Sequence, residues 1–101
     1  MCGIFSKQHP STYAQQTRSI RLSGHATSIR LEARFWEILE EIAGKESMTL
    51  PKFLNILYSE ALEAQGDVNN FASLLRVDCL VYLSNRPAHA AIVAARQEAA
   101  A

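Results

Sequence analysis

Two cysteines among 101 residues cannot staple a fold together. Cys2 lies at the N-terminus and Cys79 in an apolar stretch, no C-x-x-C occurs, and His9, His25 and His89 show no H-x-x-x-H spacing. Neither a disulfide framework nor a metal site is therefore expected, and a reducing, cytoplasmic setting is. No uninterrupted apolar run approaches the about 18 residues of a membrane span, and no basic segment followed by an apolar one opens the chain as a secretory signal would. No nucleophile, base and orienting group fall into a recognisable arrangement, so no enzyme activity and no cofactor are expected. Net charge is absent too: ten Lys and Arg balance ten Asp and Glu. Taken alone, that balance argues against a nucleic-acid partner.

What is present reverses this last point. Residues 1–34 hold Lys7, Arg18, Arg21, Arg30 and Arg34 against Glu32 alone, a local +4. Residues 35–67 hold Lys45 and Lys52 against six glutamates and Asp67, a local −5. A patch acts on phosphate over a Debye length of about 8–10 Å, so the basic N-terminal third counts for more than the total. The string SIRL occurs in that third twice, at 19–22 and 28–31. Ile20, Leu22, Ile29 and Leu31 alternate with Ser19, Arg21, Ser28 and Arg30 at the period of two that a half-buried strand needs. Ser23-Gly24-His25-Ala26 separates the copies as a loop. Folded as one hairpin, the copies would bring Arg21 and Arg30 to one face; a single strand alone would need a partner chain.

The remaining stretches read as helices. Phe35, Ile38, Leu39 and Ile42 recur at helical spacing with Trp36 widening the stripe, which predicts a helix over about 33–43, stopping at Gly44. Thr49 is placed as an N-cap with Pro51 in the first turn, opening a second helix to about Ala64 that Gly66 ends. Asn69 or Asn70 then caps a third helix to about Leu83, apolar nearly all round, which implies burial on more than one side and hence a second subunit. The chain so divides into an irregular 1–16, a core 17–64, an additional helix 68–84 and an alanine-rich tail 85–101 expected to fray.

Strand, helix, Gly-containing turn and Thr-capped helix, in RSIRLSGHATSIRLEARFWEILEEIA and onward, resemble the ribbon-helix-helix family of dimeric DNA-binding proteins over about residues 27–64. The preceding RSIRL and the trailing helix stand as extensions. The resemblance implies a mainly α fold with a short β-ribbon, one strand from each of two copies pairing antiparallel and entering the major groove of double-stranded DNA. It implies base contacts from Ser28, Arg30 and Glu32, with Arg21 joining them if the extra strand broadens the ribbon; the alternative is that residues 17–22 cover it. It implies a phosphate held at the second helix's start by Thr49, Leu50 and Lys52. It also implies a dimer core containing Ile29, Leu31, Trp36, Leu39, Phe53 and Leu57. Glu32 departs from this pattern by repelling phosphate, and Pro51 by removing an amide from the anion-holding turn.

The implied function is a homodimeric transcriptional regulator. The alternative is a dimer serving protein partners, such as an antitoxin-like or adaptor protein. Met1-Cys2-Gly3-Ile4-Phe5 is similar to the start of amidotransferases with an N-terminal cysteine nucleophile. The chain has neither the length nor the strands for that catalytic domain, and the match is read as chance.

Overall fold

A computed structural model of the chain describes residues 3–100. Met1 and Cys2, and with them the start of the amidotransferase-like motif, lie outside these residues. Two single-turn helices, α1 (Gly3–Ser6) and α2 (Pro10–Tyr13), lead into strands β1 (Gln15–Leu22) and β2 (His25–Glu32). Four longer helices follow: α3 (Ala33–Lys45), α4 (Leu50–Gln65), α5 (Phe71–Ser84) and α6 (Arg86–Ala100).

β1 and β2 pair antiparallel with each other, from Gln15 opposite Glu32 to Leu22 opposite His25. The ribbon is thus closed within one chain, which corrects the expectation that a second copy supplies the pairing strand. Ser23 and Gly24 alone make the turn, at φ 52° and 84°. Positive φ at both central residues is the geometry whose twist matches two antiparallel strands. The loop is thereby two residues shorter than expected, and His25 and Ala26 belong to β2. The ladder runs one step past the strands, where the Ala33 amide donates to the Ala14 carbonyl at 2.8 Å, so β2 passes directly into α3.

One face of this ribbon is the floor of the core. Ile20, Leu22, Ile29 and Leu31 are buried against Trp36, Ile38, Leu39 and Ile42 of α3, Leu54 of α4, and Leu75, Cys79 and Tyr82 of α5. Trp36 fixes the junction, its Nε1–H donating to the Gln16 carbonyl at 3.0 Å while the Arg18 guanidinium lies 4.6 Å from its ring centre. Ile29, Leu31, Trp36 and Leu39, expected in a dimer core, are between 0 and 4% exposed in the single chain. Phe53 and Leu57 pack half-buried at the edge of the same cluster. The caps fall as expected: Thr49 Oγ1 accepts from the Lys52 amide, Asn70 Oδ1 from the Ser73 amide, and Gly66 closes α4 at φ 74°. Gly44 does not stop α3, which runs through it to Lys45.

Cys79 is fully buried, and removal from water pushes its thiol up to about 12. Since the thiolate is the nucleophile, a Cys2→Ser chain is expected to react with a thiol reagent at least 100-fold more slowly when native than when unfolded in urea. Equal rates would place Cys79 at the surface.

The tail forms α6, and none of its described side chains is fully buried. Polar contacts to α3 and to its C-cap residue Glu46 hold it. Arg86 grips Glu41 through Nη2 and Nε, at 2.6 and 3.0 Å, beside the Tyr82 hydroxyl, which donates to Glu41 at 2.5 Å. Glu46 meets Arg96 at 3.0 Å and His89 Nε2 at 2.9 Å. The Tyr82 hydrogen bond, with Arg86 beside it, lowers the Glu41 carboxyl below its ordinary 4.5; the Arg96 hydrogen bond leads the same effect on Glu46. Carboxyls that give up protons more readily folded than unfolded stabilise the fold above about pH 4.5, and that contribution drains away as pH falls below it. Amide protection factors in α6, taken against the intrinsic rate at each pH, are accordingly expected to fall between pH 5 and pH 3 before those of α3. Simultaneous exchange of both helices would show that these contacts do not secure α6.

Candidate nucleic-acid interface

The outward face of the hairpin carries Gln15, Thr17, Ser19 and Arg21 from β1 and Ala26, Ser28, Arg30 and Glu32 from β2. Strand alternation fixes this set once Ile20, Leu22, Ile29 and Leu31 point inward. All of these except Glu32 are exposed. Across the face Thr17 lies opposite Arg30, Ser19 opposite Ser28 and Arg21 opposite Ala26. Of the expected base contacts, Arg21, Ser28 and Arg30 are therefore brought together on one open platform, which the extra strand broadens and does not cover. Ser19 and Thr17, not singled out as contacts from sequence, share it; their parity with Arg21 was the available signal.

The two arginines are not equally engaged. Arg21 Nη1 donates to the Gly24 carbonyl at 3.0 Å, one of its five donors. Among the described residues the Arg30 guanidinium has no hydrogen bond or ion pair. Glu32, the remaining expected base contact, is paired within the chain. Its carboxylate receives Arg76 Nε at 2.9 Å, with only about a quarter of the side chain exposed. That Arg76 hydrogen bond, ahead of one from its own backbone amide, holds the carboxyl below the ordinary range. Paired in this way, Glu32 neither reaches for a cytosine nor leaves its charge uncompensated beside a phosphate. The repulsion that counted against DNA is largely cancelled at its source.

Both edges of the ribbon are engaged by helix side chains. The Ala33–Ala14 bond sets the ladder's parity, so the carbonyls of Arg21 and Arg30 point away from the partner strand, to the two outer edges. Asn55 of α4 donates to the Arg21 carbonyl at 2.6 Å and accepts from the Ser23 amide at 2.9 Å. Arg76 of α5 reaches the Arg30 carbonyl at 3.5 Å. Asn55 and Arg76 carry no local sequence signal, since their partners lie 34 and 46 residues away.

The Asn55 contact sets the beginning of α4 beside the Arg21 end of the platform. Thr49, Leu50 and Lys52 lie there, within two turns of Asn55, and Lys52 and Asn55 share the lining of one shallow groove. The anion-holding capacity of this helix start is small. Pro51 has no amide hydrogen, the Lys52 amide is taken by Thr49 Oγ1 at 3.4 Å, and the Phe53 amide by the Thr49 carbonyl at 3.0 Å. The Thr49 and Leu50 amides and the Lys52 ammonium remain.

A search of curated proteins gives no match. Among solved structures, an uncharacterized protein from Bordetella pertussis Tohama I is similar at 44% sequence identity and a TM-score of 0.82, covering 86% of this chain and 70% of that one. The family model for the ribbon-helix-helix domain matches residues 15–83, from the first residue of β1 nearly to the end of α5. The match takes in the first strand and the third long helix, which the sequence reading had set outside the family pattern. The chain belongs to the ribbon-helix-helix domain family.

Proposed function

We propose that this protein is a DNA-binding transcriptional regulator that lays its hairpin in the major groove. One observation carries the reading: two arginines and two serines stand exposed on a two-stranded face whose single carboxylate is neutralised by Arg76. The major groove admits a two-stranded ribbon, and an arginine fork matches guanine O6 and N7. Lys52 and the Thr49 and Leu50 amides, beside the Arg21 end, supply the backbone contact that sets register without reading sequence. Binding to duplex DNA is expected to weaken linearly in log K against log salt, by a slope of about 0.9 per phosphate engaged. Arg30→Ala is expected to weaken binding and flatten its sequence preference. Affinity indifferent to salt and to Arg30 would remove the proposal.

Homodimerisation, on this reading, joins two finished ribbons and does not build one. Val77, Leu80 and Val81 of α5 are each more than half exposed and stand at i, i+3 and i+4, and we assign that ridge to the second copy. The same ridge favours the second reading, a protein-interaction module. Sedimentation of the wild type beside Leu80→Glu separates the two. A dimer that the substitution dissociates supports self-association; a monomer in both supports a different protein partner.

A further inference from the structure

The repeated SIRL strings do more than supply two similar strands. The register sets Ser19 directly opposite Ser28. In an antiparallel pair, a two-fold axis through that Ser–Ser step relates each residue of β1 to the residue nine further on in β2. It carries Ser19, Ile20, Arg21 and Leu22 onto Ser28, Ile29, Arg30 and Leu31, identical at every step. The buried pairs obey it, with Ile20 and Ile29 at 7% and 4% exposure and Leu22 and Leu31 at 3% and 0%. The edges obey it as well. The Arg21 carbonyl takes a helix side chain from α4, and its mate, the Arg30 carbonyl, takes one from α5. Sequence, burial and flanking contacts therefore share one local axis within a single chain.

We propose that the hairpin is a two-fold reading head built in cis, so that one chain recognises a short inverted repeat with a guanine on each DNA strand. This rests on the reading of the hairpin as a major-groove element. Arg21 and Arg30 stand two residues to either side of the axis on opposite strands. At about 3.3 Å per residue their backbones are roughly 13 Å apart along the ribbon. That span covers about four base-pair steps at 3.4 Å each. A two-fold head on a duplex, itself two-fold, meets the same base on each strand, so the two forks read G on one strand and G on the other. Arg21 enters by leaving or sharing its bond to the Gly24 carbonyl.

The experiment selects duplexes from a randomised pool with the full-length chain, then repeats the selection with Arg21→Ala and with Arg30→Ala. Both positions are exposed, and circular dichroism confirms that each variant is folded. The expected wild-type site is a G and a C on one strand enclosing two to four base pairs, read by one hairpin per short repeat. Each variant is expected to lose discrimination, by about 5- to 150-fold, at one end of that site while keeping the other. Sites without dyad symmetry, both variants losing the same base, or two hairpins seated on a single short repeat would overturn the inference and leave DNA binding intact. Failure to bind any duplex would overturn the DNA-binding reading itself, and the inference with it.

Discussion

Trp36→Ala is expected to cost about 3–5 kcal/mol, most of the stability a domain of this size has. The ring is fully buried where β1, β2 and α3 meet, and its replacement leaves a cavity that the paired ribbon cannot collapse to fill. Two further losses add to the cavity. The Gln16 carbonyl loses the indole N–H at 3.0 Å, and the Arg18 guanidinium loses the aromatic face it lies over, keeping only Glu40 at 2.7 Å. Because Trp36 is the sole tryptophan, far-ultraviolet circular dichroism in urea is the measurement. A midpoint near or below zero denaturant is expected, with Trp36→Phe recovering most of it. A loss under about 1 kcal/mol would mean that the hairpin is not fastened to the helices at this junction.

Asn55→Ala is the second large effect. One amide side chain ties the hairpin turn to α4, giving Nδ2–H to the Arg21 carbonyl and taking the Ser23 amide on Oδ1. Removing it leaves a donor and an acceptor at a partly covered edge, each costing about 1–3 kcal/mol when unsatisfied, less what water restores. A net loss of about 2 kcal/mol lowers the melting temperature by roughly 8–16 °C in a domain of this length. Asn55→Asp is expected to be at least as harmful, since it sets a carboxylate against the Arg21 carbonyl. Amide exchange at Ser23 is the site-specific readout: it should quicken in both variants ahead of exchange in α3. An unchanged Ser23 amide would show that the turn holds its shape without α4.

Much of this architecture was legible because it is local. Alternation in the two SIRL strings gave the strands and their faces. The 3.6-residue stripe gave α3, and Thr49, Gly66 and Asn70 marked helix ends. Periodicity cannot say whether a strand pairs with its own chain or another, since the same alternation serves either. Only the Ser23-Gly24 turn decides that, and a serine at positive φ is a weaker signal than asparagine or aspartate would be. The pairing of Glu32 was hidden for a related reason. Its outward parity was right, but the charge that occupies it, Arg76, comes from α5 and leaves no trace near residue 32. The tail's contacts were equally hidden: Arg86, His89 and Arg96 of α6 reach back more than 40 residues, to Glu41 of α3 and to Glu46 just past its end.

The two-residue turn has a consequence for how the ribbon behaves on dilution. Hairpins of this kind close in about 1–10 μs and need no encounter between molecules. Proteins whose folded form requires a second protomer lose it on dilution. Here the hairpin is closed within one chain, so its strand pairing persists on dilution whether or not two copies associate through α5. A variant copy expressed beside a normal one leaves the normal ribbon's strand pairing intact, since each hairpin supplies both of its own strands.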